Sequence, residues 1–295
     1  MNEFRTYHPL VNFTYFVFII IFSCVYTHPF CLAVSLTCAL VYYVVQKGVR
    51  AALKSFLYML PAMLFAALIN PAFNHEGATI VTYFPDGNPL TLESVIYGIA
   101  AAAMLFCVIF WFFCYGEVMT SDKFIYLFGR IIPSLSLIFS MTLRLVPRFV
   151  SQLKSVSDAR KCCGCAYSDG GIIKKCKHGL TVLFAAMSWA LENSVETADS
   201  MKARGYGLYG RSAFSVFTFD KRDARTLTCV LLLGLYVLAG GLAGQMYFRY
   251  FPSVKSVKLS VLSFSVFAAY AVFAALPIII EIKEAVRWNV LKSKI

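Results

Sequence analysis

The sequence SMKARGYG, residues 200–207, closes a helix-patterned run inside the one long polar region of an otherwise apolar chain. Lys202 and Arg204 place positive charge in the last turn of this predicted helix, where the helix dipole favours cations. Gly205 follows at once, and glycine is the usual residue where a left-handed conformation ends a helix. Charge and position alone leave two interpretations of Arg204 open: a helix cap, or a residue that recognises a partner.

The composition predicts an all-α polytopic membrane protein embedded in a lipid bilayer. The chain has 295 residues, of which 59% are hydrophobic and only 14% charged, against about 25% charged residues in a soluble domain. The formal net charge of +12 does not predict a nucleic-acid partner, because Lys and Arg in a membrane chain mostly report topology. No basic stripe with interleaved aromatic residues lies outside the apolar runs.

About six apolar runs are close to the roughly 20 residues that a helix needs to cross a bilayer. They cover residues 11–27, 30–46, 52–70, 94–115, 226–248 and 259–280. In the third run, Pro61 predicts a kink or interruption, and the pair Asn70-Pro71 predicts its end. The chain is therefore divided into N-terminal transmembrane helices (1–116), a cytoplasmic or interfacial helical region (117–225), and C-terminal transmembrane helices with a basic tail (226–295).

Loop charges predict a multi-pass protein of the cell membrane with both termini cytoplasmic. The loop at 46–50 is basic, the loop at 72–93 contains no Lys or Arg, and the region 116–225 is rich in both. One loop disagrees with this bias, because Arg249, Lys255 and Lys258 would then be external. Six spans remain the preferred count.

The polar region predicts two long amphipathic helices. From Phe124 to Val150 the chain is apolar but carries Arg130, Arg144 and Arg148, which suits a helix in the membrane interface better than a buried span. Pro147 is expected to bend it. The apolar face predicted for this helix consists of Leu135, Ile138, Thr142, Leu145, Phe149 and Val156.

The second helix is predicted from about Leu180 to Arg204, with a heptad-like seam along one face. The seam consists of Leu180, Phe184, Met187, Leu191, Ser194, Ala198 and Met201. A partly similar helix end occurs earlier, at Ala159–Gly164, and it aligns with Met201–Gly205 when the two glycines are superposed. Two such ends suggest two docking points.

In these stretches the chain resembles a known family, the transmembrane T component of energy-coupling factor (ECF) transporters, a branch of the ABC transporters. The resemblance is strongest in Thr120–Phe124 (TSDKF), Leu143–Phe149 (LRLVPRF) and Ala198–Gly207 (ADSMKARGYG). It implies a non-catalytic subunit of an ATP-driven uptake transporter for a micronutrient, either a vitamin or a metal ion. The two amphipathic helices are then coupling helices that transmit ATPase motion to a substrate-binding membrane protein, the S component.

The resemblance also implies the site residues. The ends of the coupling helices would dock in two cytosolic ABC-type ATPase subunits, with Ala203, Arg204 and Gly205 forming one docking end. At the other end, Cys163 stands before Gly164 where the family usually has Arg. Arg160, about one turn earlier, is a candidate to compensate.

Sequence motifs for catalysis are absent, so the chain is predicted not to be an enzyme and to need no cofactor. It has no phosphate-binding Gly-x-x-x-x-Gly-Lys-Ser/Thr loop, no His-Glu-x-x-His pattern and no Gly-x-Ser-x-Gly elbow. Thiolate clusters can bind zinc or iron–sulfur groups, but the cysteine spacing lacks paired Cys-x-x-Cys knuckles, and free thiols are favoured. The residues concerned are Cys162, Cys163, Cys165, Cys176 and His178.

The alternative hypothesis is a stand-alone permease or a thiol- or metal-dependent membrane enzyme. That hypothesis predicts a constellation of polar residues within the spans, and the apolar runs contain almost no ionisable residues.

Overall fold

The structure, a computed structural model, describes residues 3–83, 89–129, 133–164, 171–208, 217–256 and 260–292. Predictions made for Arg130, Cys165 and Lys258 lie outside these residues, as does the side chain of Leu135. The chain forms two compact units. The first comprises Met1–Phe124 with Phe217–Ile295, and the second comprises Ile125–Val216.

Helices make up most of the described chain, which confirms the predicted all-α polytopic fold. In chain order they are α1 (Pro9–Val25), α2 (Pro29–Lys47), α3 (Val49–Phe73), α4 (Leu92–Val118), α5 (Ser121–Gly129), α6 (Pro133–Cys162), α7 (Ile172–Ala203), α8 (Lys221–Leu242) and α9 (Val261–Lys292). Within the described residues, five helices are long and apolar enough to span a membrane: α2, α3, α4, α8 and α9. The helix α1 is equally apolar but has 17 residues.

The first two helices begin with the same local signal, a His-Pro pair. His8 and His28 each accept a hydrogen bond through Nδ1 from the backbone two residues on, at 3.3 and 3.2 Å. Pro9 and Pro29 then occupy the first helical position, where proline costs no hydrogen bond and its fixed φ favours the helix. The starts of α1 and α2 are therefore determined locally.

The predicted bounds of α3 and α8 are wrong. The pair Asn70-Pro71 does not end α3, which runs to Phe73 with Pro61 and Pro71 inside it. A missing backbone hydrogen bond is tolerated in apolar helices that pack on neighbours. The helix α8 is shifted against its prediction and runs from Lys221 to Leu242, because Asp220 and Asp223 form a reciprocal capping box at its start.

The core of the first unit is unusually aromatic. Its largest fully buried side chains belong to Trp111, Tyr15, Tyr42, Tyr270, Phe4, Phe16, Phe22, Phe106, Phe110 and Phe273. The Trp111 indole donates to Ser35 Oγ at 2.9 Å, and Tyr15 Oη donates to the Ala274 carbonyl at 3.2 Å. Some buried polar atoms are thus satisfied by contacts between helices, which fixes how these helices pack.

Two short antiparallel hairpins lie at one end of this unit. They are formed by β1 (Ile80–Tyr83) with β2 (Pro89–Thr91), and by β3 (Phe248–Arg249) with β4 (Lys255–Ser256). The backbone N–H of Ala78 donates to the Pro252 carbonyl at 3.1 Å, so the segments that carry the hairpins meet. The Tyr250 hydroxyl also donates to the Thr27 carbonyl, at 2.7 Å. Thr27, between α1 and α2, and the helix ends at Asn74 and Ala243 therefore share one end of the unit.

The second unit contains α6 and α7, which pack against each other. The predicted face of α6 is partly wrong, because Ile138 is 57% exposed and Thr142 is also exposed. The half-buried line instead runs through Leu137, Met141, Leu145, Phe149 and Val156. Because apolar residues lie on more than one side of this helix, the sequence pattern was compatible with two different packed faces.

Helix α7 is longer than predicted, and its buried face differs from the predicted seam. It starts at Ile172, and its buried residues are Val182 and Ala186. Leu180, Phe184 and Leu191 of the predicted seam are 53%, 61% and 68% exposed. The seam therefore exists as an apolar stripe on α7, but it is not the stripe that packs on α6.

Candidate functional site

The end of α7 has the backbone geometry predicted for it. Arg204 is the C-cap, and Gly205 follows with a φ of 76° in the left-handed region. The N–H of Tyr206 donates to the Met201 carbonyl and that of Gly205 to the Lys202 carbonyl, each at 3.0 Å. This pair of bonds is the Schellman motif, which satisfies carbonyls at a helix end. The predicted capping role of Gly205 is confirmed.

The end of α6 shares the left-handed glycine and one of these two bonds. The helix ends at Cys162, and Gly164 has a φ of 73°. The N–H of Cys163 donates to the Ala159 carbonyl and that of Gly164 to the Lys161 carbonyl, each at 3.1 Å. Cys163 and Arg204 therefore hold the same backbone position, between the last helical residue and a left-handed glycine. Superposing Gly164 on Gly205 relates two structurally equivalent helix ends.

The equivalence extends one turn back, a feature that the sequence analysis missed. Asp158 pairs with Lys161 at 2.7 Å, and Asp199 lies 4.0 Å from Lys202. Each acid stands three residues before its lysine and six before the glycine, so a shared Asp-x-x-Lys-x-x-Gly spacing was available as a signal. These pairs are exposed and stabilise each end by only a few tenths of a kcal/mol.

The arginines at the two ends are not equivalent. Arg204 is exposed at the C-cap position. Arg160 is half-buried, and its counterpart in α7 is Met201, three residues before the cap. Arg160 thus continues the half-buried line of α6 and does not occupy the position of Arg204. Ala203, the last residue of α7, corresponds to Cys162.

The cysteines near the end of α6 do not form a metal site in the described residues. Cys162, Cys163 and Cys176 are exposed. Across the ranges that the structure describes, no group of three or more His, Cys, Asp or Glu side chains could hold a metal ion. The described geometry therefore gives the zinc or iron–sulfur interpretation no support.

Comparison with known proteins gives the family. The family model described as "Cobalt transport protein" (CbiQ) matches residues 3–215. The chain belongs to this family. Membership confirms the predicted relation to the ECF T components and places the chain among membrane transport components rather than enzymes.

Curated relatives of this family member carry the name "Energy-coupling factor transporter transmembrane protein EcfT". The chain is 29% identical over 109 residues to the protein of Lactobacillus helveticus, which is 36% of this chain and 39% of the relative. It is 28% identical over 102 residues to that of Streptococcus thermophilus, covering 34% and 39%. For Acidaminococcus fermentans the identity is 30% over 105 residues, covering 35% and 38%. The chain therefore matches about two fifths of the length of these relatives.

The TSDKF stretch of this family member contains a buried lysine. Its burial was not predicted from the sequence. Lys123 is 5% exposed, and its Nζ donates to the backbone carbonyl of Arg5. Burial away from water, with a smaller effect of the Arg5 charge, lowers the pKa of Lys123 to about 8. The residues that it contacts lie more than a hundred positions earlier, so no local pattern could have placed it.

Proposed function

We propose that this family member is the non-catalytic transmembrane coupling subunit of an ATP-driven uptake transporter for a micronutrient, either a vitamin or a metal ion. It works with two cytosolic ABC-type ATPase subunits and with a substrate-binding S component in the membrane. The observation that carries the proposal is the pair of equivalent helix ends, each with an exposed residue between a long helix and a left-handed glycine.

These helix ends suit docking because each is rigid and terminates at a defined residue. Helix α7 has 32 residues, about 48 Å at 1.5 Å per residue, and its end is closed by its own backbone hydrogen bonds. The exposed Arg204 guanidinium offers five N–H donors in a planar fork, which matches carboxylates and carbonyl groups. We assign Ala203, Arg204 and Gly205 to one docking end, and Arg160, Cys163 and Gly164 to the other.

The exposed apolar stripe of α7 supports a second contact. Leu180, Phe184 and Leu191 lie on a side of the helix that α6 leaves open. Large exposed apolar patches mark protein or membrane contacts. We assign this stripe to the S component, because Ser194 and Ala198 further along it are small and permit close approach of another helix.

The membrane orientation of the first unit follows the same proposal. The N–H of Phe4, before α1, donates to Glu281 Oε1, in the C-terminal half of α9, at 3.1 Å. The segment before α1 and the C-terminal half of α9 therefore meet on one side of the first unit, and we place this side in the cytoplasm because the flanking segments are basic.

The proposal is tested by purifying the tagged chain from membranes of its native host. We expect two ATPase subunits and a small membrane protein to co-purify, and the preparation to hydrolyse MgATP. A chain that purifies alone and is active by itself would contradict the proposal and favour a stand-alone permease or enzyme.

The same preparation tests which end docks more strongly. We expect Arg204→Ala to weaken ATPase association by about tenfold or more, the value of one charged hydrogen bond. Arg160→Ala should have a smaller effect, because Arg160 is half-buried and not at the cap. Lys202→Ala, an exposed neighbour of Arg204, is the matched control for lost charge. Equal effects of Arg204→Ala and Arg160→Ala would refute the asymmetry.

A further inference from the structure

The chain passes between its two units twice, after Phe124 and before Phe217. On the first unit's side, both crossings contact the same short piece of chain, residues 4–12, which we call the N-terminal segment. It contains all but the first residue of a 3₁₀ turn at Glu3–Thr6 and the start of α1.

The outgoing crossing is held by Lys123, next to Phe124. Its Nζ donates to the Arg5 carbonyl, and it lies 2.9 Å from the side-chain amide of the fully buried Asn12. With the amide oxygen facing Lys123, the amide nitrogen of Asn12 donates to the Phe4 carbonyl at 3.1 Å. A buried ammonium group is costly unless such oxygens surround it, so these contacts define where α5 begins.

The returning crossing is held by the residues at the start of α8. Asp223, 3% exposed, accepts a hydrogen bond from the His8 backbone N–H at 3.4 Å. The Arg222 guanidinium lies 4.2 Å from the centre of the Tyr7 ring and donates to Thr6 Oγ1 at 3.2 Å. The N-terminal segment therefore binds both crossings through separate contacts.

The segment is itself firmly seated in the first unit. Phe4 is fully buried, and its ring meets those of Tyr15 and Tyr42 edge-on at 5.5 and 6.3 Å. Its N–H donates to Glu281 of α9. The crossings are thus tied, through residues 4–12, to α1, α2 and α9.

We propose that the N-terminal segment is a clamp on both crossings, and that Lys123 is a positioning residue for energy transmission between the units. This inference rests on the proposed function, in which ATPases move the second unit. Displacement that reaches the first unit along the chain enters at the crossings. Where a crossing is loose, local unwinding absorbs the displacement. Where it is clamped, the displacement moves α1, α2 and α9.

The test uses the purified complex with its ATPases and measures hydrogen–deuterium exchange in MgATP and in MgADP. In the wild type we expect nucleotide-dependent exchange in the second unit, at 133–164 and 171–208, and also in the first unit's hairpin segments, 74–83 and 243–256. In Lys123→Met, which keeps the bulk but loses the donor, the second unit's response and the ATPase rate should persist. The first unit's response should fall by about fivefold or more.

Arg5→Gln is the matched control, because the Arg5 side chain is exposed and only its backbone carbonyl accepts from Lys123; its response should equal that of the wild type. If the Lys123→Met protein does not accumulate, the same exchange measurement is made on Arg222→Met, for which the same loss of the first unit's response is expected. The Arg222 side chain is 42% exposed, so its loss spares the core. A preserved first-unit response in the variant overturns the proposal. A joint loss of the ATPase rate and both responses also overturns it, since that marks a role in folding. A wild-type preparation without ATPases refutes the proposed function instead.

Discussion

Cys163 and Arg204 occupy the same backbone position and differ in what they offer a partner. Both precede a glycine with positive φ, and both follow the last residue of a long helix. A thiol is a weak donor and acceptor, whereas a guanidinium is a permanent charge with five donors. The difference between the two candidate docking ends therefore lies in one side chain, on backbones that are alike.

This equivalence predicts a gain of function. Cys163→Arg places a guanidinium at the position that Arg204 occupies in α7, so we expect the ATPase subunits to bind about tenfold more tightly, as one added charged hydrogen bond would give. The measurement is the Kd of the purified ATPase subunits for the detergent-solubilised chain. Cys162→Arg adds the same charge one residue earlier and is the control. Equal gains from both variants would mean that net charge, and not the cap position, sets affinity.

At the scale of helices, α3 and α4 approach each other closely at Gly98. A Cβ at this position would lie 2.5 Å from the Ala67 carbonyl oxygen and 3.1 Å from Pro71 Cδ. The carbonyl belongs to helix backbone, which cannot move aside as a flexible side chain can. The glycine is therefore required by the crossing of two helices, the usual reason for small residues where membrane helices pack.

Gly98→Ala should destabilise this crossing by about 1–3 kcal/mol, the usual cost of overpacking. We expect a lower Tm of the detergent-solubilised chain in a thermal unfolding measurement. Gly116→Ala on the same helix is the control, because a Cβ there meets nothing within 4 Å, and alanine favours a helix over glycine. If both variants unfold at the same temperature, the close approach of α3 to α4 is wrong.

Helix boundaries were predictable where a local signal determines them. The starts of α1 and α2 follow from His-Pro pairs and lie within two residues of the predicted runs. The end of α3 was not predictable from Asn70-Pro71, because packing against α4 overrides the local preference of proline. The packed face of α6 was only partly predictable, because apolar residues on several sides allow more than one register.

The residues of the candidate site were also predictable only where a local signal determines them. Gly164 and Gly205, with the residues before them, were identifiable because a left-handed glycine at a helix end is a local motif. The N-terminal clamp was not, since Lys123, Asp223 and Glu281 contact residues 118, 215 and 277 positions away. Ionisable residues at the ends of predicted spans look solvent-exposed in sequence, and only the tertiary contacts reveal that these three are buried.

At the scale of the whole first unit, three buried charged residues, Lys123, Asp223 and Glu281, lie at one end, whereas the hairpins and the buried Glu93 beside Thr79 lie at the other. Lys123, Asp223 and Glu281 contact the N-terminal segment, while Ala78 and Pro252 join the two hairpin segments. The loop with Arg249 and Lys255 therefore shares its end with the acidic segment that precedes β1. In the proposed orientation this loop is external, where its basic charge opposes the usual bias. We expect its connection to α3 and α4 to outweigh these few charges.

This arrangement predicts which residues are reachable from outside the cell. Glu76→Cys and Lys255→Cys, both at exposed positions, should react with a membrane-impermeant maleimide in intact cells, above the background of the parent chain. Asp122→Cys, also exposed but beside Lys123, should react only after permeabilisation. If position 255 reacts only after permeabilisation, as position 122 does, while position 76 reacts in intact cells, the result would contradict the hydrogen bond between Ala78 and Pro252. It would mean that the charge of the loop, not its packing, decides its side of the membrane.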